Sequence, residues 1–543
     1  MTDTAAAREA ALAQFIADLD RQVVPLSREL NEAMWNANTT GDPKWEETSA
    51  ALDSRLRRIF ADAASFAKLR AWREEGGAHD PLLARQLGLL IDTFQANQIP
   101  PDAIDRMVKI EKALESRFNN FRADFRGEKV ADNRLRDVLR QSADPAERRE
   151  AWTAMKQVGA EVRDDLLALV RMRNQAARDL GFPNYSTMML QLDELDETWL
   201  FETLRVLEEG TRPLFEAYKR DLDARLAERF RIAPAELRPW HYSDPFFQEA
   251  PAADVDLDVY FSGASLEDLT RRFYHAIGLE VDDLLAKADL YERPGKSQHA
   301  FCLCVDRKLD IRVLCNCRPN EYWMATMLHE FGHAVYDKYV DPSLPHTLRG
   351  PAHILATEAS AMLFGRLSKN AAWLHHHAQV SRSDAEAAGA AIARAVRSQL
   401  LVQTRWCLVM CHMERALYAN PDQDLDTRWW DLVERLQFVT RPDGRHAPDW
   451  ASKIHFSVAP VYYQNYQLGE MMASQLQHHL LHAVAGGGPK AWDRYVTSPE
   501  VGRFLRDRFY ASGRRYDWRE TLKRATGEEF TPESFVAELA GRS

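Results

Sequence analysis

Residues 329–333 read His329-Glu330-Phe331-Gly332-His333, and Ala356-Thr357-Glu358-Ala359 follows, with Glu358 25 residues beyond His333. On an α-helix two histidines four apart share one face a turn apart, so both imidazoles can reach a single ion. Glu330 is too close in sequence to join them as a ligand, but it is placed to take a proton from an attacking water. A zinc ion that does chemistry takes three protein ligands and keeps its fourth position open. Glu358 completes a His2Glu set with His329 and His333, which predicts one zinc per chain; Asp337 is the alternative third ligand. The run from Pro319-Asn320 to Leu328 opens like a helix and carries no breaker before Gly332. Gly332 itself removes a side chain where a second backbone must come close to bring Glu358 in.

Composition bounds the setting of this motif. With 543 residues, 45% apolar and only 24 glycines, the chain can bury a large core. Net charge is −11 with no block of lysines or arginines, which argues against a nucleic-acid partner. No apolar run approaches the roughly 18 residues of a membrane span. The start, Met1-Thr2-Asp3-Thr4-Ala5-Ala6-Ala7-Arg8, lacks a basic region followed by a continuous apolar one, so a cytoplasmic protein is expected. Oligomeric state is not set by any of this.

Helical periodicity dominates on both sides of the motif, over 144–178, 200–229 (with an interruption expected near Gly210 and Pro213) and 384–418. Breaks fall at Glu75-Gly76-Gly77, from Ala233-Pro234 to Pro251, at Thr440 to Gly444 and at Gly486 to Pro489. None is a long linker, so the expectation is one mainly α domain over residues 1–543 with a small β-hairpin beside the motif helix. That hairpin is Phe301-Cys302-Leu303-Cys304-Val305 and Ile311-Arg312-Val313-Leu314-Cys315, joined by Asp306 to Asp310. Its two Cys-x-Cys pairs are closer spaced than structural zinc ligands, and reduced, half-buried thiols are expected. His375-His376-His377 and His478-His479 show no ligand spacing and are expected at the surface.

A second constellation runs from Lys453-Ile454-His455 through Tyr462-Tyr463-Gln464-Asn465-Tyr466. Tyr463 and Tyr466 are one helical turn apart. A phenol or imidazole can donate to the oxyanion that develops on a scissile carbonyl, while core aromatics with satisfied hydroxyls fit the spacing equally well.

The chain resembles the angiotensin-converting-enzyme-like peptidases and, more distantly, the thimet oligopeptidase family. Besides the zinc motif, Asn31 to Thr40 is similar to the family's Trp/Asn/Thr segment, Arg173-Asn174-Gln175-Ala176-Ala177 to its RNxAA motif, and His299-Ala300 ahead of Asp310-Ile311-Arg312 to its substrate-lining edge strand. The resemblance implies a helical ellipsoid split by a deep channel that admits short peptides. It implies that His329, His333 and Glu358 bind zinc, that Glu330 is the base, and that His455 and Tyr466 steady the transition state. It also implies that Lys453 and Tyr463 (or Tyr462) hold a C-terminal carboxylate while His299 and Ala300 meet peptide backbone. Release of C-terminal dipeptides follows from a fixed cation at the channel end; internal cutting, carboxypeptidase action and an inactive peptide-binding scaffold are the alternatives. Three positions depart from the pattern. His329 and Glu358 are 29 apart, the thimet oligopeptidase spacing. The acidic residue expected one turn after the glutamate ligand is Met362, and the family's chloride-holding arginine is replaced by Gln464-Asn465.

Overall fold

Short polar side chains start most of the helices. Asp42, Asp62, Asp80, Asp144, Asn184, Asp196, Ser265 and Asn320 each accept a hydrogen bond from a backbone N–H of the first turn they precede. The computed structural model describes residues 2–251 and 256–542. The fold is mainly α with two small antiparallel hairpins, one more than the sequence predicts. No helix among the described residues is long and apolar enough to cross a membrane.

The chain forms two compact units from interleaved segments. The first comprises residues 1–98, 255–393 and 468–534; the second comprises 99–254, 394–467 and 535–543. In the first unit the long helix Thr2–Thr40 lays Leu12, Ile16, Leu19 and Val23 against Leu87, Leu90, Ile91 and Phe94 of the helix Pro81–Ala96. The same unit holds the motif helix Glu321–Tyr339, the glutamate helix Ile354–Gly365 and the expected hairpin, Phe301–Cys304 paired with Ile311–Leu314. His299 and Ala300 immediately precede the first strand rather than lying within it.

In the second unit the helix Pro145–Asp179 matches the predicted span closely. The helix Glu197–Phe230 is unbroken, against the expected interruption. Pro213 is exposed, so water can take the carbonyl its missing N–H leaves free, and Leu204, Leu207, Phe215 and Leu222 anchor the helix on both sides of it. Arg173 and Asn174 of the RNxAA motif are buried structural donors. Arg173 donates to the carbonyls of Phe456 and Ser457 at 3.0 and 2.6 Å, and Asn174 to that of Tyr418 at 2.8 Å. Of the histidine run, His377 is buried, not exposed, with Nε2 2.8 Å from the carbonyl oxygen of Val496.

The motif and glutamate helices meet where neither leaves room for another atom. A Cβ on Gly332 would stand 2.7 Å from the Cα of Ala361 and 3.0 Å from the carbonyl oxygen of Ser360. Ser360 Oγ donates to the Gly332 carbonyl at 2.9 Å, so the contact is hydrogen-bonded as well as close. Gly332→Ala must push the helices apart. The expected outcome is a loss of about 1–3 kcal/mol in urea unfolding, with weaker metal retention, read by denaturation curves and metal analysis of the purified variant.

Candidate metal and catalytic centre

Each ligand candidate owes its position to an identifiable local feature. Asn320 caps the motif helix by accepting from the Trp323 N–H at 3.0 Å, and Tyr274 donates to the Leu328 carbonyl at 2.7 Å. His353 caps the glutamate helix, its Nδ1 accepting from the Leu355 N–H at 3.0 Å. Gly469 leaves room for Glu358, since a Cβ there would lie 3.2 Å from the Glu358 Cβ.

His329 Nε2 and His333 Nε2 stand 3.7 and 3.9 Å from Glu358 Oε2, and the two imidazole rings are 4.9 Å apart. Tetrahedral zinc with donors at about 2.0–2.1 Å puts neighbouring donors roughly 3.4 Å apart. The donor chemistry and the spacing therefore fit a zinc ion with small side-chain adjustments. Among the described residues the second such group is His275, Glu280 and Asp282, two of them exposed.

Burial sets the charge states. It lowers His329 to about 4, and burial together with His329 lowers His333 to about 3, so both imidazoles are neutral and able to ligate at neutral pH. Burial and then the Glu358 charge raise Glu330 to about 8, while burial and then Glu470 raise Glu358 to about 7. For Glu330, only 7% exposed, this is on the order of 5 kcal/mol against the ionised form. A dication held by His329, His333 and Glu358 would offset that cost.

Thr357 is the residue that sequence reasoning missed. Its Oγ1 lies 2.7 Å from His333 Nδ1. With Nε2 on a metal ion, Nδ1–H would donate to this hydroxyl, which would fix the tautomer in place of the acid absent at Met362. Its position beside Glu358 in sequence was the available signal.

In the second unit the structure gathers Lys453, His455, Tyr463 and Tyr466. Lys453 Nζ donates to Gln248 Oε1 at 2.8 Å and lies 5.3, 5.1 and 5.8 Å from the ring centroids of Phe246, Trp406 and Tyr463. Gln248 donates its own amide N–H to Asp244 at 3.3 Å, which turns its oxygen toward the lysine. Burial lowers Lys453 to about 8. His455 packs on Tyr463 with ring centroids 5.0 Å apart, and its Nδ1 has no hydrogen-bond partner among the described residues. Tyr463 OH accepts from Trp406 Nε1 at 3.2 Å, and its ring is 5.6 Å from that of Tyr466. Tyr463 thus shares the lysine and histidine cluster, and the Tyr462 ring meets that of Tyr466 edge-on at 5.0 Å. Val461, a β-branched residue at φ 55°, precedes them, its N–H held by Glu414 Oε1 at 2.8 Å. Gln248, some two hundred residues away in sequence, carried no local signal.

The family model for peptidase family M3 matches residues 138–541, and that for angiotensin-converting enzyme matches residues 6–234. The first spans about three quarters of the chain, including the motif, Glu358 and the Lys453–Tyr466 block. The chain belongs to peptidase family M3. It is a metallopeptidase acting on peptides, of a kind generally dependent on zinc. No curated protein matches it.

If Thr357 orients His333, Thr357→Val removes the acceptor at nearly constant volume. Zinc affinity should fall about 10- to 100-fold with unfolding unchanged, measured by competition with a chromophoric chelator; unchanged affinity refutes the role.

Proposed function

We propose that the protein hydrolyses short peptides with one zinc held by His329, His333 and Glu358, releasing dipeptides from the C-terminus. The observation that carries this reading is the three-donor set beside a buried carboxyl, Glu330, that makes no hydrogen bond among the described residues. When bound, zinc polarises the scissile carbonyl and acidifies the attacking water. Glu330 takes the proton of that water and passes it to the departing amine. His455 and Tyr466 donate to the carbonyl oxygen as it gains charge; their roles rest on the resemblance of the block from Lys453 to Tyr466. The backbone at His299 and Ala300, leading into the strand Phe301–Cys304, pairs with the extended substrate.

The choice of the C-terminal end rests on Lys453. Its ammonium has no carboxylate within ion-pair distance among the described residues and spends one hydrogen bond on the neutral Gln248. A peptide's terminal carboxylate, held by Lys453 with Tyr463 beside it, is the natural counter-charge. The 29-residue spacing from His329 to Glu358, shared with thimet oligopeptidases, favours internal cutting as the second reading.

Glu330→Gln should keep zinc and bind peptide while losing turnover by at least about 10²–10⁴-fold, since an amide cannot accept the proton. A variant retaining more than about a tenth of the wild-type kcat refutes the base assignment.

A free-acid peptide should be preferred over its amide by about 10- to 100-fold, and Lys453→Ala should erase most of that preference. Because burial lowers Lys453 to about 8, its charge is present below that pH and lost above it. The preference should therefore decline as pH rises through about 8. Equal cleavage of acid and amide at pH 7 would select the internal-cutting reading.

A further inference from the structure

One basic cluster in the first unit is left unused by this mechanism. The turn between the short turn-helix His346–Leu348 and the glutamate helix carries Arg349, and the hairpin turn carries Arg307. Arg307 Nη1 reaches only the His346 carbonyl, at 3.5 Å. Arg349 Nε and Nη1 are buried without a hydrogen-bond partner, and neither guanidinium forms an ion pair among the described residues. His346, 7% exposed, also has a buried Nδ1 with no partner among the described residues. Burial, with Arg307 and Arg349 next, lowers it to about 4, so it adds no charge and offers an uncommitted ring nitrogen. Asp20, on the N-terminal helix, is the carboxylate that feels both arginines, yet it pairs with neither, and burial raises its pKa despite them.

The cluster borders the candidate centre within the same unit. Asp337 lies one turn beyond His333, and its charge acts on both Cys302 and Arg307. Cys302, on the strand Phe301–Cys304, also feels Glu330. That strand pairs on one side with Ile311–Leu314; on the other, Asn31 of the N-terminal helix donates to the carbonyls of Cys304 and Val305 at 3.4 and 3.1 Å, so the edge left for a peptide is the stretch from His299 to Cys302, ahead of the turn that holds Arg307. Two guanidiniums with open N–H groups match the planar oxygens of a carboxylate, and a chain of net charge −11 otherwise repels acidic peptides.

We propose that Arg307 and Arg349 form a specificity subsite for the side-chain carboxylate of a glutamate or aspartate in the substrate. The subsite rests on the peptidase reading for its substrate class and adds a preference which that reading does not contain.

The test uses the zinc-loaded Glu330→Gln chain, which binds without turnover, and a peptide set in which one glutamate is walked along a neutral sequence. Each peptide is compared with its glutamine counterpart of identical free C-terminus, by calorimetry. At one position glutamate should bind about tenfold or more tighter than glutamine. Added Arg307→Gln or Arg349→Gln should bring that ratio close to one. Arg307 is exposed, so its variant decides the matter should Arg349→Gln fail to fold. Ratios within twofold at every position, or a ratio kept in both arginine variants, overturn the subsite. So does an arginine effect that follows C-terminal amidation instead of the side chain, because the anion would then be the terminal carboxylate. A wild-type chain that cuts no peptide fails the peptidase reading while the glutamate-to-glutamine ratio still decides the subsite. A chain that cuts and binds both peptides alike fails the subsite alone.

Discussion

The contact of Gly332 with Ser360 and Ala361 is the constraint on which the centre depends. Helices normally pack with their axes 8–10 Å apart because side chains intervene. Here one partner has none, and the backbones come so close that a Cβ added to Gly332 would stand 2.7 Å from the Cα of Ala361. This close seat brings Glu358, two residues before Ser360, to within 4 Å of two imidazoles on the other helix. Gly365 repeats the device a turn away, where an added Cβ would lie 3.2 Å from His329 Cβ. Propensity alone disfavours glycine in a helix by about 1 kcal/mol, and the site explains why the sequence accepts that loss.

Electrostatics complete what packing begins. Two carboxyls and two imidazoles are grouped in a largely buried cluster, where burial raises both acids and keeps the bases neutral. Such a cluster is poorly stabilised by itself and well suited to a dication, which favours the ionised acids and uses the neutral nitrogens as they stand. The second unit reverses the pattern with a buried lysine among aromatic rings and a neutral amide, a cation awaiting an anion. Arg173 shows how that lysine's segment is held, by tying down the carbonyls of Phe456 and Ser457 that follow it.

The fold class and the grouping of the candidate donors His329, His333 and Glu358 were legible because both are written in sequence spacing. Helical periodicity gave the long helices, and i, i+4 histidines with a helix-compatible glycine gave the centre. What depends on distant partners was not legible. Thr357 stands beside Glu358 in sequence, but only the packed helices show its hydroxyl 2.7 Å from His333 Nδ1. Gln248 beside Lys453 and the meeting of Arg307 with Arg349 need the tertiary structure. Pro213 misled in the opposite direction, since a local breaker lost to packing on both sides of it. The buried His377 misled similarly, because a run of three histidines gives no sign of which one turns inward.

The central claim is that a His2Glu set, and not the cysteines of the hairpin, holds a single zinc. X-ray absorption on the purified protein, with metal content measured alongside, tests it most directly. The account predicts one zinc per chain surrounded by nitrogen and oxygen at about 2.0–2.1 Å, with the multiple-scattering signature of two imidazoles. Sulfur at about 2.3 Å, or a zinc content unchanged when His329 and His333 are both replaced by alanine, would contradict it.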